Sequence, residues 1–283
     1  GAVSILSSEA PDATSHLMRL WTILFGTRPE AVKLAPILRE FRRRGHAFRL
    51  LCSDQHTDLL VSAATLDPAY AEAEHVGIPS EGWPPAYAIR LAEALKRRGD
   101  IEHVLVQGDT STAYAGSLLG VPLYHVEAGV RTYQPDPDPE EHFRTEIDRE
   151  ARYGACATYG NALNIITERR ISDLDRFPVT GNPGIDQLYH TVQPTTDRTN
   201  TVLITLHRRE SHGPYLEGLV RELGSLAEHH PHLFFVWPVH PNPAVQRAAA
   251  LLPTLPNVGR LDALGPVAFT AILATAHAVI TDS

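Results

Sequence analysis

The loop Gly26-Thr27-Arg28-Pro29-Glu30 has the residue types to hold an anion. It leaves an apolar run (residues 20–25) and enters a helix-like run (residues 31–43). A strand that hands over to a helix N-terminus offers backbone N–H groups to a negative ligand. Thr27 and Glu30 have capping-box spacing, and Pro29 stands where the first helical turn tolerates it. Arg28 adds a charged fork there, with Lys33 about one turn along. Further ionisable groups stand just behind other apolar runs: Asp109 in Gly108-Asp109-Thr110, Glu127 in His125-Val126-Glu127-Ala128-Gly129, and His207 in His207-Arg208-Arg209-Glu210. Glu140 and Glu141 close a Pro/Asp-rich stretch, and His240 follows Trp237-Pro238-Val239.

Each group also has a plainer reading. Asp109 suits a helix cap. Glu127 has Arg131 as a structural partner, and Glu140 or Glu141 suits the positive end of a helix. His207 fits a hydrogen-bonded core position. The run His229-His230-Pro231-His232 suggests metal, but it ends an amphipathic stretch and reads better as a solvated helix terminus. No HExxH, P-loop or GxSxG pattern occurs.

The elements that must position these groups alternate along the chain. Strand-like runs fall at 20–25, 48–52, 104–107 and 122–126, with helical runs at 31–43, 56–65, 86–98, 111–119, 141–152 and 162–170. A polar interval at 193–200 reads as a linker. A second alternation follows, with strands at 202–206, 233–237, near 258 and at 278–281, and helices at 215–229, 244–252 and 267–275. This pattern predicts an α/β protein of two doubly wound domains with a cleft between them, and ligand sites at the carboxyl ends of the strands. The expected division is residues 18–190, a linker at 191–200, and a second domain at 201–283. That second domain reads as incomplete, because the sequence stops at Thr281-Asp282-Ser283 where a strand hands over to a helix.

Composition narrows the class. The 283 residues carry a formal charge of −8, which argues against a general nucleic-acid binder. No apolar run is long enough to span a bilayer, and residues 1–17 lack a signal-peptide core. The sole methionine, Met18, reads as the native start, with 1–17 as an extension. Cys52 and Cys156 lie far apart in apolar surroundings, as expected of buried, reduced thiols in a cytoplasmic protein.

At these residues the chain resembles the bacterial non-hydrolysing UDP-N-acetylglucosamine 2-epimerases. The matching segments are GTRPEAVKLAPIL at 26–38, GDT at 108–110, HVEAGVRT at 125–132, PEE at 139–141, VTGNPGID at 179–186, TLHRRE at 205–210 and PVHPNPAV at 238–245. They run in family order from about residue 19 to the end. The resemblance implies a glycosyltransferase-B-like pair of Rossmann-like domains and interconversion of UDP-GlcNAc and UDP-ManNAc, with no metal and no external redox cofactor. Family chemistry eliminates UDP across C1 and C2 to a 2-acetamidoglucal, then adds it back after C2 is reprotonated on the other face. By resemblance, Arg28 and His207 engage the UDP phosphates, Lys33 lines the site, and Asp109, Glu127 and Glu140 serve proton transfer. Ser283 belongs to an anion-binding Asp-Ser turn at the nucleotide, and a homodimer is implied.

The residue types suit that reaction. A C2 hydrogen is a poor acid until the C1–O bond begins to break, so cations on the leaving pyrophosphate must act together with a carboxylate base. Crowded carboxylates should also split their pKa values, leaving one protonated. Several positions depart from the family. After PEE come His142 and Phe143 before Arg144, so the usual Arg is kept and its Asn is not. Ser211 stands where Asn is usual. A Gln-His-Arg motif that helps hold a second, allosteric UDP-GlcNAc reads Gln55-His56-Thr57-Asp58 here. Weak or absent activation by UDP-GlcNAc is therefore expected, although Gln55, Arg208 and His240 match the remaining elements. Other readings are a hydrolysing epimerase, an epimerase for a modified UDP-sugar, a glycosyltransferase of the same fold, and a UDP-sugar-binding protein without turnover.

Overall fold

In a computed structural model the protein is described over residues 20–53, 59–133, 139–169, 174–192, 195–206 and 213–282. The chain divides into two compact units, Gly1–Gln187 and Leu188–Ser283. The dividing point falls inside a helix, α7 below.

The first unit is built on six parallel strands: β1 (Trp21–Phe25), β2 (Phe48–Cys52), β3 (Glu74–His75), β4 (Val104–Gln107), β5 (Leu123–Ala128) and β6 (Ala151–Cys156). Their spatial order is β3-β2-β1-β4-β5-β6. The helices between and after them are α1 (Arg28–Arg43), α2 (Leu59–Ala64), α3 (Pro84–Arg98), α4 (Ser111–Ser117), α5 (Glu140–Glu150), α6 (Tyr159–Arg169) and α7 (Pro183–Thr191). The continuous apolar strands follow from burial on both faces. Along β1, Leu24 joins one core with Leu91, Val106 and Phe143. Its neighbours Ile23 and Phe25 join another with Leu34, Leu38, Phe41 and Tyr70. Each such side chain, withdrawn from water, contributes about 1.5–3 kcal/mol.

Helix α1 starts as its sequence dictates. Thr27 is extended, and its Oγ1 accepts the Glu30 N–H at 3.4 Å. The stripe Ala31, Leu34, Ala35, Leu38 and Phe41 then turns inward. The helix expected at 141–152 ends two residues early, and Ala151 opens β6, a strand absent from the sequence reading. Its sequence, Ala-Arg-Tyr-Gly-Ala-Cys, contains no β-branched residue, so only pairing with β5 makes it a strand. Gly154 is required there, because a Cβ would lie 2.7 Å from both Ala128 and the Phe177 ring. Cys52 and Cys156 are both buried, and burial pushes the Cys156 thiol up to about 12, with Asp148 adding to the shift.

The second unit has four parallel strands, β7 (Thr201–Thr205), β8 (Phe234–Pro238), β9 (Val258–Leu261) and β10 (Ala278–Thr281), in the order β10-β7-β8-β9. Its helices are α8 (Pro214–His229), α9 (Pro243–Ala249) and α10 (Pro266–Thr275). Its core gathers Ile204, Leu206, Val220, Phe235, Trp237 and Val245. Among the described residues no helix is long and apolar enough to cross a membrane.

Candidate active site

The ends of β1, β4 and β5 are neighbours in the first sheet, and the strand order reverses between β1 and β4. An open parallel sheet leaves a crevice beyond its strands at such a point.

Glu127 is held there by its backbone as well as its side chain. Its φ of +73° lies in the left-handed region, which costs a residue with a Cβ about 1–2 kcal/mol. Its Oε2 accepts from Lys33 Nζ at 2.6 Å and from Gln107 Nε2. Its Oε1 accepts from Asn182 Nδ2 at 3.1 Å, and no second described donor reaches it, so a lone pair stays available. Lys33 comes from the second turn of α1 and Gln107 from the last residue of β4. Asn182 precedes α7, and its Oδ1 accepts the Gly184 N–H at 2.8 Å, so its amide orientation is fixed from both ends.

Gly108 passes directly beside this carboxylate, since a Cβ there would lie 3.8 Å from Glu127 Oε2. Asp109 follows. Its Oδ2 accepts from Arg144 Nε at 2.6 Å, and the same guanidinium donates to Glu141 Oε2 at 2.7 Å. Arg144 Nη2 also lies 3.6 Å from Glu140 Oε2. One planar cation thus gathers carboxylates from the β4 loop and the first turn of α5. Glu141 has a bracing task. It accepts the Thr132 N–H at 3.1 Å and the Thr132 hydroxyl at 2.9 Å, tying the segment after β5 to α5. Burial pushes its carboxyl up, but the Thr132 N–H and the Arg144 guanidinium outweigh that and hold it below the usual range.

The Gly108–Thr110 turn is gripped from beneath by His125. Its Nε2 lies 2.9 Å from the Gly108 carbonyl and its Nδ1 2.6 Å from Asp148 Oδ1. Both partners only accept, so both ring nitrogens carry protons and the ring is an imidazolium. Burial alone would lower the His125 pKa, yet the Asp148 carboxylate and the Gly108 carbonyl outweigh it and raise it. Asp148 Oδ2 also accepts the Gly129 N–H at 3.0 Å and Arg131 Nη1 at 2.7 Å. Burial pushes Asp148 up, but His125 and Arg131 together hold it below the usual carboxylate range.

Gly129 must be glycine. Its φ is +79°, and a Cβ there would lie 2.1 Å from the Asn161 carbonyl oxygen, which belongs to the backbone and cannot move aside. Gly129→Ala should cost about 3 kcal/mol or more, read as a large fall in Tm; a Tm within a degree or two of wild type would contradict this packing.

Glu30 is fully buried. Its Oε2 accepts the Gly26 N–H at 3.0 Å and its Oε1 the Thr110 hydroxyl at 2.8 Å. Burial pushes this carboxyl up to about 7, against the downward pull of Thr27, Thr110 and Gly26. The raised carboxyl of this cluster is thus one outside the sequence-derived set.

The structure brings Lys33, Asp109, Glu127 and Glu140 to one end of the first sheet. Arg28 is the exposed first residue of α1 and pairs with no described carboxylate. His207, Arg208, Gln55 and Ser283 lie outside the described residues. His240 is exposed after β8, where its Nδ1 accepts the Asn242 N–H at 3.1 Å. Two of the plainer readings fail. Thr110, not Asp109, caps α4, its Oγ1 accepting the Ala113 N–H at 3.1 Å. Arg131 pairs with Asp148 and Glu168 rather than Glu127. His229 is exposed, with Nδ1 on the Ser225 carbonyl at 2.7 Å, and among the described residues no three His, Cys, Asp or Glu side chains could hold a metal.

Gln107, Asn182 and Glu30 were missed as site residues. A polar residue ending the apolar run 104–107, and an Asn directly before Pro183, were the available signals.

The family model described as UDP-N-acetylglucosamine 2-epimerase matches residues 86–283. A UDP-N-acetylglucosamine 2-epimerase from Yersinia pestis is 32% identical over 297 residues, covering 94% of this chain and 77% of the relative. The solved structure of a UDP-GlcNAc 2-epimerase from Neisseria meningitidis bound to UDP-GlcNAc superposes with a TM-score of 0.79 at 28% identity, covering 94% of this chain and 78% of that one. A putative UDP-N-acetylglucosamine 2-epimerase from Listeria monocytogenes gives a TM-score of 0.80 at 28% identity, covering 94% of this chain and 74% of that one. With the family pattern spanning more than half its residues, the chain belongs to the UDP-N-acetylglucosamine 2-epimerase family of enzymes.

Proposed function

We propose that the protein interconverts UDP-GlcNAc and UDP-ManNAc without hydrolysis, and that Asp109, Glu127 and Glu140 carry the proton transfers. The observation that supports this most is the Glu127 carboxylate, fixed by three donors beside Asp109 at the ends of adjacent strands. In the forward reaction a carboxylate takes the C2 proton while the C1–O bond breaks, its electron pair leaving with UDP and giving a 2-acetamidoglucal. A proton is then delivered to the opposite face of C2, and UDP adds back at C1, so no atom is gained or lost. Two faces call for more than one acid–base group. Glu127 Oε1 and Asp109 Oδ1 both keep acceptor capacity among the described residues. Arg28 and His207 are proposed to neutralise the leaving pyrophosphate, with Lys33 lining the site and Ser283 contributing to the anion-binding turn.

The same reading makes the protein a cytoplasmic homodimer that acts on nucleotide sugars and on neither nucleic acid nor membrane. Activation by added UDP-GlcNAc should be weak or absent, because Thr57 stands at a cationic position and Asp58 adds an acidic group beside it. A reverse reaction with UDP-ManNAc that needs UDP-GlcNAc for turnover would contradict that expectation.

Product analysis tests the main claim. Incubation with UDP-GlcNAc should give UDP-ManNAc in equilibrium with starting material. Free ManNAc with UDP would indicate a hydrolysing enzyme, and UDP binding without conversion would overturn the proposal.

A further inference from the structure

The Gly108–Thr110 turn is held at three points. His125 takes the Gly108 carbonyl, Arg144 takes the Asp109 carboxylate, and Glu30 takes the Thr110 hydroxyl. The first two are cations. Glu30 alone is a carboxyl, wholly buried, and among the described residues no cation bonds to it. Its partners are neutral: the Gly26 N–H, the Thr110 hydroxyl, and Thr27 beside it. The titratable side chain facing it from another element is Tyr70, whose hydroxyl donates to the Ala31 carbonyl at 2.7 Å. Asp109 and Arg144 lie just past Thr110. A buried carboxyl without a cation carries a desolvation cost that a leucine or glutamine would avoid. Its carboxyl also closes the helix cap, taking the Thr27 backbone N–H while the Thr27 side chain accepts the Glu30 N–H, a task a neutral glutamine performs as well. What the carboxyl provides beyond the cap is a bridge from the end of β1 to the N-cap of α4, one residue from Asp109.

We propose that Glu30 is a positioning residue for Asp109, fixing the Gly108–Thr110 turn against the end of β1 so that the Asp109 carboxylate meets C2 in one place. The proposal rests on the assignment of Asp109 to proton transfer made above. Thr110 is the transmitting side chain, since its oxygen both donates to Glu30 and accepts the Ala113 N–H that starts α4. A hydrogen bond to an ionised carboxylate is about twice as strong as one to a neutral group. The bridge is therefore tightest above the Glu30 pKa of about 7 and slackens below it.

Glu30→Gln is the test. The amide can accept from Gly26 and donate to Thr110, so the variant mimics the protonated form and keeps the fold. At about pH 8 its kcat should fall about tenfold with KM within about twofold, because a slightly displaced reacting group loses rate more than binding. At about pH 6 wild type and variant should converge as Glu30 protonates. Thr110→Val should produce a loss of similar size that is not compounded in the double variant, whereas Thr110→Ser retains the bridge. Superimposable pH profiles for wild type and Glu30→Gln would overturn the proposal. Amide hydrogen exchange of residues 107–118 reads the bridge without any turnover. Faster exchange there in Glu30→Gln at about pH 8, with β7 and β8 unchanged, supports it, and equal exchange refutes it even if the sugar nucleotide proved to be a different one.

Discussion

Glu127→Gln should leave about a thousandth of wild-type turnover and a folded protein that still binds UDP. A positioned acid–base group contributes about 10²–10⁴ in rate, and an amide of the same shape cannot take a proton at that pH. The hydrogen bonds around Glu127 make the outcome specific. Oε2 accepts from two donors, so the new amide nitrogen must stand at Oε1, opposite Asn182 Nδ2. Asn182 cannot rotate to accept without releasing Gly184, which its Oδ1 already holds. One donor–donor contact therefore remains, at a cost of about 1–3 kcal/mol. The expected record is a Tm lowered by several degrees, UDP affinity within a few-fold, and kcat down about a thousandfold. Loss of UDP binding and of the folded state together would make Glu127 a structural residue instead.

The second large effect belongs to stability. Asp148→Ala should destabilise the first unit by about 3–5 kcal/mol, because it leaves a buried imidazolium and the Gly129 N–H without their acceptor and strips Arg131 of one of two carboxylates. Asp148→Asn should cost less. Its amide can donate to a neutral His125 Nδ1 while its oxygen keeps Gly129 and Arg131. The gap between wild type and Asp148→Asn then follows pH with a definite sign. The His125 pKa is raised, so its share is full below the ordinary histidine range and is lost as pH rises through the raised value. The Asp148 pKa is lowered, so its share is full above the ordinary carboxylate range and is lost as pH falls through the lowered value. Denaturation across pH should therefore find the gap widest between those ranges and narrower on either side. A gap independent of pH would contradict an ionised His125–Asp148 pair.

Much of the first unit was legible because its chemistry is local. The run at β1, the Thr27 cap and Pro29 announce a strand-to-helix turn without any long-range contact, and α1 begins there. The ends of β4 and β5 could be read for the same reason, and with them Asp109 and Glu127. Pairings between distant segments could not. Lys33 reaches Glu127 only because parallel strands set β5 two positions from β1, while sequence proximity had suggested Arg131. β6 was invisible because Ala, Gly and Cys carry little strand preference, and its existence depends on β5. The spacing of Thr27 and Glu30 predicts the cap that forms, but not that the Glu30 side chain also spans to Thr110, a partner eighty positions away. The left-handed backbone of Glu127 has no sequence signal at all, since a glutamate is not expected there.

The most direct test follows the C2 hydrogen. Wild-type protein is incubated with UDP-GlcNAc in heavy water and the sugar nucleotides are examined by proton NMR. UDP-ManNAc should carry deuterium at C2, with deuterium also entering recovered UDP-GlcNAc, because both are formed by reprotonation of one eliminated intermediate. An epimer that retains its original C2 hydrogen would contradict it.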